Sequence, residues 1–255
     1  MVKEERRVFI PEDTPLYEQV GDLLLIGTYH APDTLCPEKR TRFIRELQGR
    51  NHLILEGTRQ INERDRRETS FSTIALDNHV GEVHYLEEDA DFFKILTQQG
   101  IRPELIGAYH SLRPLPSLCS TYGKDKGKIL DALLIYLRLT KKQYPGFQNL
   151  VVENTFKKSA ELIQDTEDVS VLWDIGIAFA WYLADVRNQY VIGPKSKEFY
   201  ERLRGTKVEI VGASHVDFLV RFLRGEHREP VPRWEAYVGN LEKKVRSAIR
   251  KIEQR

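Results

Sequence analysis

The chain has only two cysteines, Cys36 and Cys119, and one methionine in 255 residues. Two thiols cannot make a disulfide framework, and reduced thiols in a cytoplasmic protein are the simpler expectation. Charge of one sign is also missing: 39 Lys and Arg face 38 Asp and Glu, for a net +1. No global field therefore draws the chain to nucleic acid or to an anionic membrane. No apolar run reaches the length of about 18 residues that a membrane-spanning helix needs. The first seven residues, Met1-Val2-Lys3-Glu4-Glu5-Arg6-Arg7, are charged and lack the apolar stretch of a secretory leader. H-E-x-x-H, a glycine-rich phosphate loop and G-x-S-x-G are absent, which argues against zincin, nucleotide-binding and serine-hydrolase chemistry.

What is there is an alternation of short apolar runs and helical patterns. Residues 23–26, 53–55, 83–86 and 208–211 read as buried strands, and the apolar starts at 105–106 and 150–152 read the same way. Helical patterns cover 37–48, 90–99, 129–142, 169–190, 199–203 and 216–224, and Pro114 with residues 116–128 reads as a loop. The pattern predicts an α/β fold with a central, mainly parallel sheet flanked by helices. Residues 1–232 form the expected α/β domain. Residues 233–255 form an amphipathic helix, with Leu241, Val245, Ala248, Ile249 and Ile252 on one stripe, that packs on this domain or on a second copy in a homodimer. A repeat is visible as well: Leu25-Ile26-Gly27-Thr28-Tyr29-His30 echoes Leu105-Ile106-Gly107-Ala108-Tyr109-His110, and the strand ending at Glu56 echoes the one ending at Glu153. Duplicated half-sheets are one explanation, and chance likeness of short strands is the other.

Chemistry concentrates at strand ends. Gly27-Thr28-Tyr29-His30 and Gly212-Ala213-Ser214-His215 each follow a buried run, where glycine is expected to turn the chain and leave a histidine at the sheet's rim. That rim is where open α/β sheets bind ligands. Glu56 closes another strand, with Arg59 three residues on. A guanidinium beside a carboxylate keeps it ionised. An ionised Glu among imidazoles suits a divalent metal or proton transfer from water. Arg187-Asn188 follows a long apolar stretch, a position that polar residues occupy at a boundary or facing a site. Glu153, His110 and His84 are weaker site candidates. His52 reads as structural, and His79 and His227 as surface residues.

Taken together, these residues resemble the TraB/PrgY family, within the broader group of Tiki, GumN-like, erythromycin esterase and ChaN proteins. The similar features are the early G-x-x-H, the strand-ending Glu56 with Arg59, the acidic-Arg-polar segment Asp185-Val186-Arg187-Asn188 and the late G-x-x-H. The resemblance covers most of the chain, and residues 60–150 depart from it. Group members do different chemistry: Tiki proteins are metal-dependent proteases, erythromycin esterases open a lactone, and ChaN proteins are linked to haem.

The resulting expectation is a hydrolase of a peptide or ester bond. His30, Glu56 and His215 would hold a manganese, cobalt or zinc ion, and Arg59 and Arg187 would stabilise the oxyanion, with Glu153 a further catalytic candidate. The alternatives are a metal-free hydrolase in which a His or Glu56 is the base, and a binder of haem or peptide without turnover. The expected partners are a peptide or a small ester, with neither nucleic acid nor membrane.

Overall fold

The computed structural model describes residues 15–28, 36–59, 62, 71–143, 153–166, 169–227 and 230–254, those of 137–143 and 153–156 by their backbone. Five strands form one sheet: β1 (Leu16–Val20), β2 (Leu23–Thr28), β3 (His52–Leu55), β4 (Glu82–Tyr85) and β5 (Lys207–Gly212). Their order across the sheet is β1-β2-β5-β3-β4, with β1 antiparallel to β2 and the other pairs parallel. The expected α/β architecture with a mainly parallel sheet is the one found.

The strand ends follow from burial. All six residues of β2 and all six of β5 are buried, as continuous apolar runs in the middle of a parallel sheet should be. β1 was not foreseen. Its Leu-Tyr-Glu-Gln-Val sequence exposes two polar residues, which suits an edge strand. Because the last strand in sequence, β5, lies between β2 and β3, their C-terminal ends come together. Thr28 pairs with Gly212, and Leu55 with Ile210.

Contacts divide the chain into two compact units: Met1–Ala90 with Arg187–Pro230, and Asp91–Val186 with Val231–Arg255. The first holds the sheet with α1 (Pro37–Leu47) and α2 (Phe71–Asn78). The second is helical among its described residues, with α3 (Phe92–Gln98), α4 (Pro103–Leu112), α5 (Leu115–Tyr122), α6 (Lys126–Gln143), α7 (Glu153–Asp165) and α8 (Val169–Arg187). The last residue of α8 begins the other unit, where the chain continues as a π-helical turn (Asn188–Ile192), α9 (Gly193–Arg202) and, after β5, α10 (Ala213–Leu223). The helical unit is completed by α11 (Trp234–Gly239) and α12 (Lys243–Glu253).

Several expectations are corrected. Leu105 and Ile106 lie in α4, not in a strand, so the segment that echoes β2 is a helix and the repeat loses its first half. Pro103 at the first turn fits a helix start, since its missing N–H is an orphan there anyway. Glu153 opens α7 in the helical unit, and residues 150–152 lie outside the described residues. The loop expected over 116–128 contains α5 and the start of α6. The C-terminal stripe is two helices, broken around Asn240, not one. Its apolar side is occupied within the chain: Trp234, Val245, Ile249 and Ile252 join Tyr109, Phe179 and Tyr182 in the core of the helical unit. Removing each such side chain from water contributes about 2 kcal/mol. One continuous helical stretch, Val169–Arg202, is long and apolar enough to cross a membrane, with half of its most apolar window buried in the protein.

Candidate functional site

Five polar side chains, Glu56, Glu87, Arg187, Asn188 and His215, meet at the C-terminal rim of the sheet. Glu56 leaves the end of β3, and the turn behind it needs Gly57 at φ +88°, a left-handed conformation that a side chain would strain. Asn62 clamps this turn, its Nδ2 donating to the carbonyls of Glu56 at 2.9 Å and Thr58 at 3.0 Å. The Glu56 carboxylate is gripped from two sides. Oε2 accepts the Gly212 backbone N–H at 2.5 Å, at the N-terminus of α10, and Oε1 accepts Arg187 Nη2 at 2.7 Å. A helix N-terminus is a favourable place for a negative group.

Arg187 also binds Glu87, which follows β4. Nε donates to Glu87 Oε1 at 2.9 Å and Nη2 at 2.5 Å. Burial works against the Arg187 charge, but Glu56 and Glu87 outweigh it and hold the guanidinium protonated beyond its ordinary range. Burial raises Glu87, the Arg187 charge opposes this, and the nearby Glu56 charge adds to the rise. Two carboxylates share one guanidinium, so this ion cluster carries excess negative charge, and Glu87 takes up a proton more readily than an ordinary carboxylate.

His215 lies in the first turn of α10, not in a loop beyond the strand. It is buried, and its Nδ1 is 2.6 Å from Asn188 Oδ1. An amide oxygen only accepts, so Nδ1 donates to it, and in the neutral tautomer that this bond selects the lone pair lies at Nε2. That Nε2 is 3.5 Å from Glu56 Oε1. Asn188 is placed by the π-helical turn that starts directly after Arg187. Such turns occur often at functional sites, because the extra residue re-aims side chains within a helix.

The expected site residues divide accordingly. Glu56, Arg187 and His215 come together. Arg59 does not join them: it is exposed, its backbone N–H binds Glu88 Oε2 at 2.7 Å, and its guanidinium carbon is 5.6 Å from the centre of the Tyr85 ring. The guanidinium that meets Glu56 therefore comes from far along the chain, not from the E-x-x-R spacing. His30 lies outside the described residues. His110 is buried in α4, where burial first and Arg113 second depress it to about 3, so it stays neutral. Glu87 was missed, although it ends an apolar run just as Glu56 does. The motif glycines act differently from expectation as well. A Cβ at Gly27 would sit 2.6 Å from Val216 Cγ2 and 3.0 Å from Ala213 Cα, so this glycine lets α10 approach β2 and does not turn the chain.

At the opposite end of the same sheet, His52 of β3 and Glu82 and His84 of β4 form a group able to hold a metal ion. His52 and His84 are half-buried and Glu82 is exposed. The sequence marked His84 only weakly and took His52 as structural. His79, expected at the surface, is half-buried, and His227 packs on Phe218 and Phe222 with a 2.7 Å hydrogen bond to Gln189. Cys119 is raised by burial, which makes it a poor nucleophile.

No family model, no curated protein and no solved structure matches this chain.

Proposed function

We propose that the rim cluster is a hydrolytic site for a peptide or small ester, with His215 as the base that activates water. The observation that carries this is the His215 geometry. Asn188 holds the Nδ1 proton, so the lone pair of Nε2 is aimed at the Glu56 side of the rim. A water donating one hydrogen bond to Nε2 and one to Glu56 Oε1 would bridge this 3.5 Å pair. His215 takes the water's proton, and the hydroxide attacks the carbonyl carbon. The imidazolium formed is stabilised by the adjacent Glu56 carboxylate and returns its proton to the leaving group. Arg187 keeps Glu56 in place and offsets part of the negative charge that Glu56 and Glu87 bring beside the reacting carbonyl. On this reading the chain is a TraB/PrgY-like hydrolase.

A metal-dependent version is the second reading, and the same 3.5 Å separation favours it, since two ligands of one small divalent ion stand about 3.3–3.4 Å apart. His215 Nε2 and Glu56 Oε1 would hold that ion, with His30 as the third ligand. The ion would supply Lewis-acid polarisation of the carbonyl. It ranks second because Arg187 Nη2 already binds the same oxygen at 2.7 Å, and a guanidinium and a metal ion repel each other there.

The test is turnover of an ester and peptide panel by wild type, His215→Ala, Glu56→Gln and His30→Ala, before and after chelation. Activity that survives chelation and disappears in His215→Ala supports the metal-free route. Activity lost on chelation, with metal content falling in His215→Ala and His30→Ala, supports the metal route. Full activity in His215→Ala on a substrate the wild type cleaves overturns both.

A further inference from the structure

We infer that His52, Glu82 and His84 form a zinc-class metal site separate from the rim. The three donor atoms lie at nearly equal distances: His52 Nδ1 to His84 Nε2 3.3 Å, His52 Nδ1 to Glu82 Oε2 3.5 Å, and His84 Nε2 to Glu82 Oε2 3.6 Å. Zinc–ligand bonds of about 2.0–2.1 Å at tetrahedral angles put ligand atoms about 3.3–3.4 Å apart. The triangle is therefore close to one face of a zinc tetrahedron, a little expanded.

Sheet geometry produces this face. His52 is paired with Glu82 across the β3–β4 ladder, and His84 lies two residues beyond Glu82, on the same side of its strand. Backbone packing brings the two strand starts together. Glu82 N–H donates to the Asn51 carbonyl at 3.1 Å, and a Cβ at Gly81 would fall 2.4 Å from that oxygen.

A second observation sets the protonation. His52 Nε2 is 2.8 Å from the Arg204 carbonyl, which only accepts. Nε2 therefore carries the proton and the Nδ1 lone pair faces the other two donors. A backbone carbonyl holding the far nitrogen is the usual outer support of a metal-bound histidine. His84 is steadied by the Phe199 ring, 5.1 Å between centroids. His79 and Arg202 are also close enough to act electrostatically on His84, and Arg202 is engaged by Glu198 at 3.2 Å. Two imidazoles and one carboxylate suit zinc or cobalt better than magnesium or calcium, which prefer all-oxygen sites. Three protein ligands leave the fourth position to solvent on the exposed Glu82 side, where a water or a small anion would bind.

This site does not depend on the rim hydrolase, and the test keeps the two apart. Metal-free full-length protein is titrated with Co²⁺, followed by its visible tetrahedral absorption, and then with Zn²⁺ as competitor. The expected result is one equivalent bound and displaced by Zn²⁺. Affinity should fall at least about tenfold in His84→Ala, the scale of losing even an outer support. Glu82→Gln should weaken binding in the same sense, and its exposed side chain makes a folding defect an unsuitable explanation. His215→Ala should bind as wild type does, and His84→Ala should keep the wild-type hydrolysis rate. The inference is overturned by absence of saturable binding in the wild type, by binding that both His84→Ala and Glu82→Gln leave unchanged, or by a site that His215→Ala abolishes.

Discussion

The two ends of the sheet carry the same kinds of group, a glutamate beside an imidazole, and differ in what faces the carboxylate. At the rim, Glu56 meets the Arg187 guanidinium and the Gly212 backbone N–H. At the other end, Glu82 meets two imidazoles. A fixed guanidinium already binds the Glu56 oxygen that a metal would take, and on the proposed reading this leaves His215 to transfer protons. Two imidazoles supply lone pairs beside the carboxylate, so the other end is able to hold a divalent ion. The neighbour of a carboxylate decides between proton chemistry and cation binding more than the carboxylate itself does.

The strongest way to break this contrast is His215→Ala. Loss of a general base should lower turnover by about 10²–10⁴-fold while metal binding at His52, Glu82 and His84 persists. Equal loss of both would mean that the ends are not independent. Next comes Arg187→Met, which leaves Glu56 and Glu87 facing each other without their cation. Destabilisation of about 3 kcal/mol is expected in denaturant unfolding, as when one partner of a buried ion pair is removed. Lowering the pH should relieve part of this loss, because Glu87 already takes up a proton more readily than usual.

Glu209 sharpens the comparison from between the two ends. It is fully buried in β5, paired in register with Ile54, and bonded through Oε2 to Ser196 Oγ at 2.7 Å. Burial pushes it up to about 8 from an ordinary 4.5; the Ser196 bond opposes the rise and the Glu56 charge adds to it. A carboxyl raised on folding holds its proton more tightly when folded. Its contribution is fully present below the ordinary value and is lost as pH rises through about 8. Wild type should therefore lose on the order of a few kcal/mol across that window, and Glu209→Gln should flatten the slope to the part that the raised Glu87 contributes. Denaturant midpoints at a series of pH values between these limits check it.

Smaller effects follow. Asn188→Ala should cost about 1–3 kcal/mol by leaving the buried His215 Nδ1–H unpaired. It should also shift the pH–rate profile, which a purely structural role would leave in place. Arg59→Ala should change stability by less than about 0.5 kcal/mol, as for an exposed residue, and turnover little. A large loss of turnover there would bring Arg59 back to the rim as an oxyanion group.

Much of this was legible before folding. The runs at 23–26, 53–55 and 208–211 announced the central strands because a parallel sheet buries both faces and its strands need apolar residues throughout. Glu56 and His215 stood out as polar residues after such runs, and Arg187 as one after a long apolar helical stretch. The strand reading of Leu105-Ile106 failed because a short apolar run fits a buried helix equally well, and only packing separates the two. The single C-terminal helix failed at Asn240, where the apolar stripe continues although the backbone does not.

Chain order and hydrophobic pattern by themselves determined the α/β class, the central strands and the polar residues at their ends, since these rest on local burial and backbone preference. Partnership was decided only by the tertiary structure. The insertion of β5 between β2 and β3 brings the Gly212 amide to Glu56, and the π-helical turn after α8 lines Asn188 up with His215. Strand pairing places His52 against Glu82 and His84. Electrostatics and coordination depend on distances of a few ångströms between residues remote in the chain, and such distances exist only once the sheet has formed.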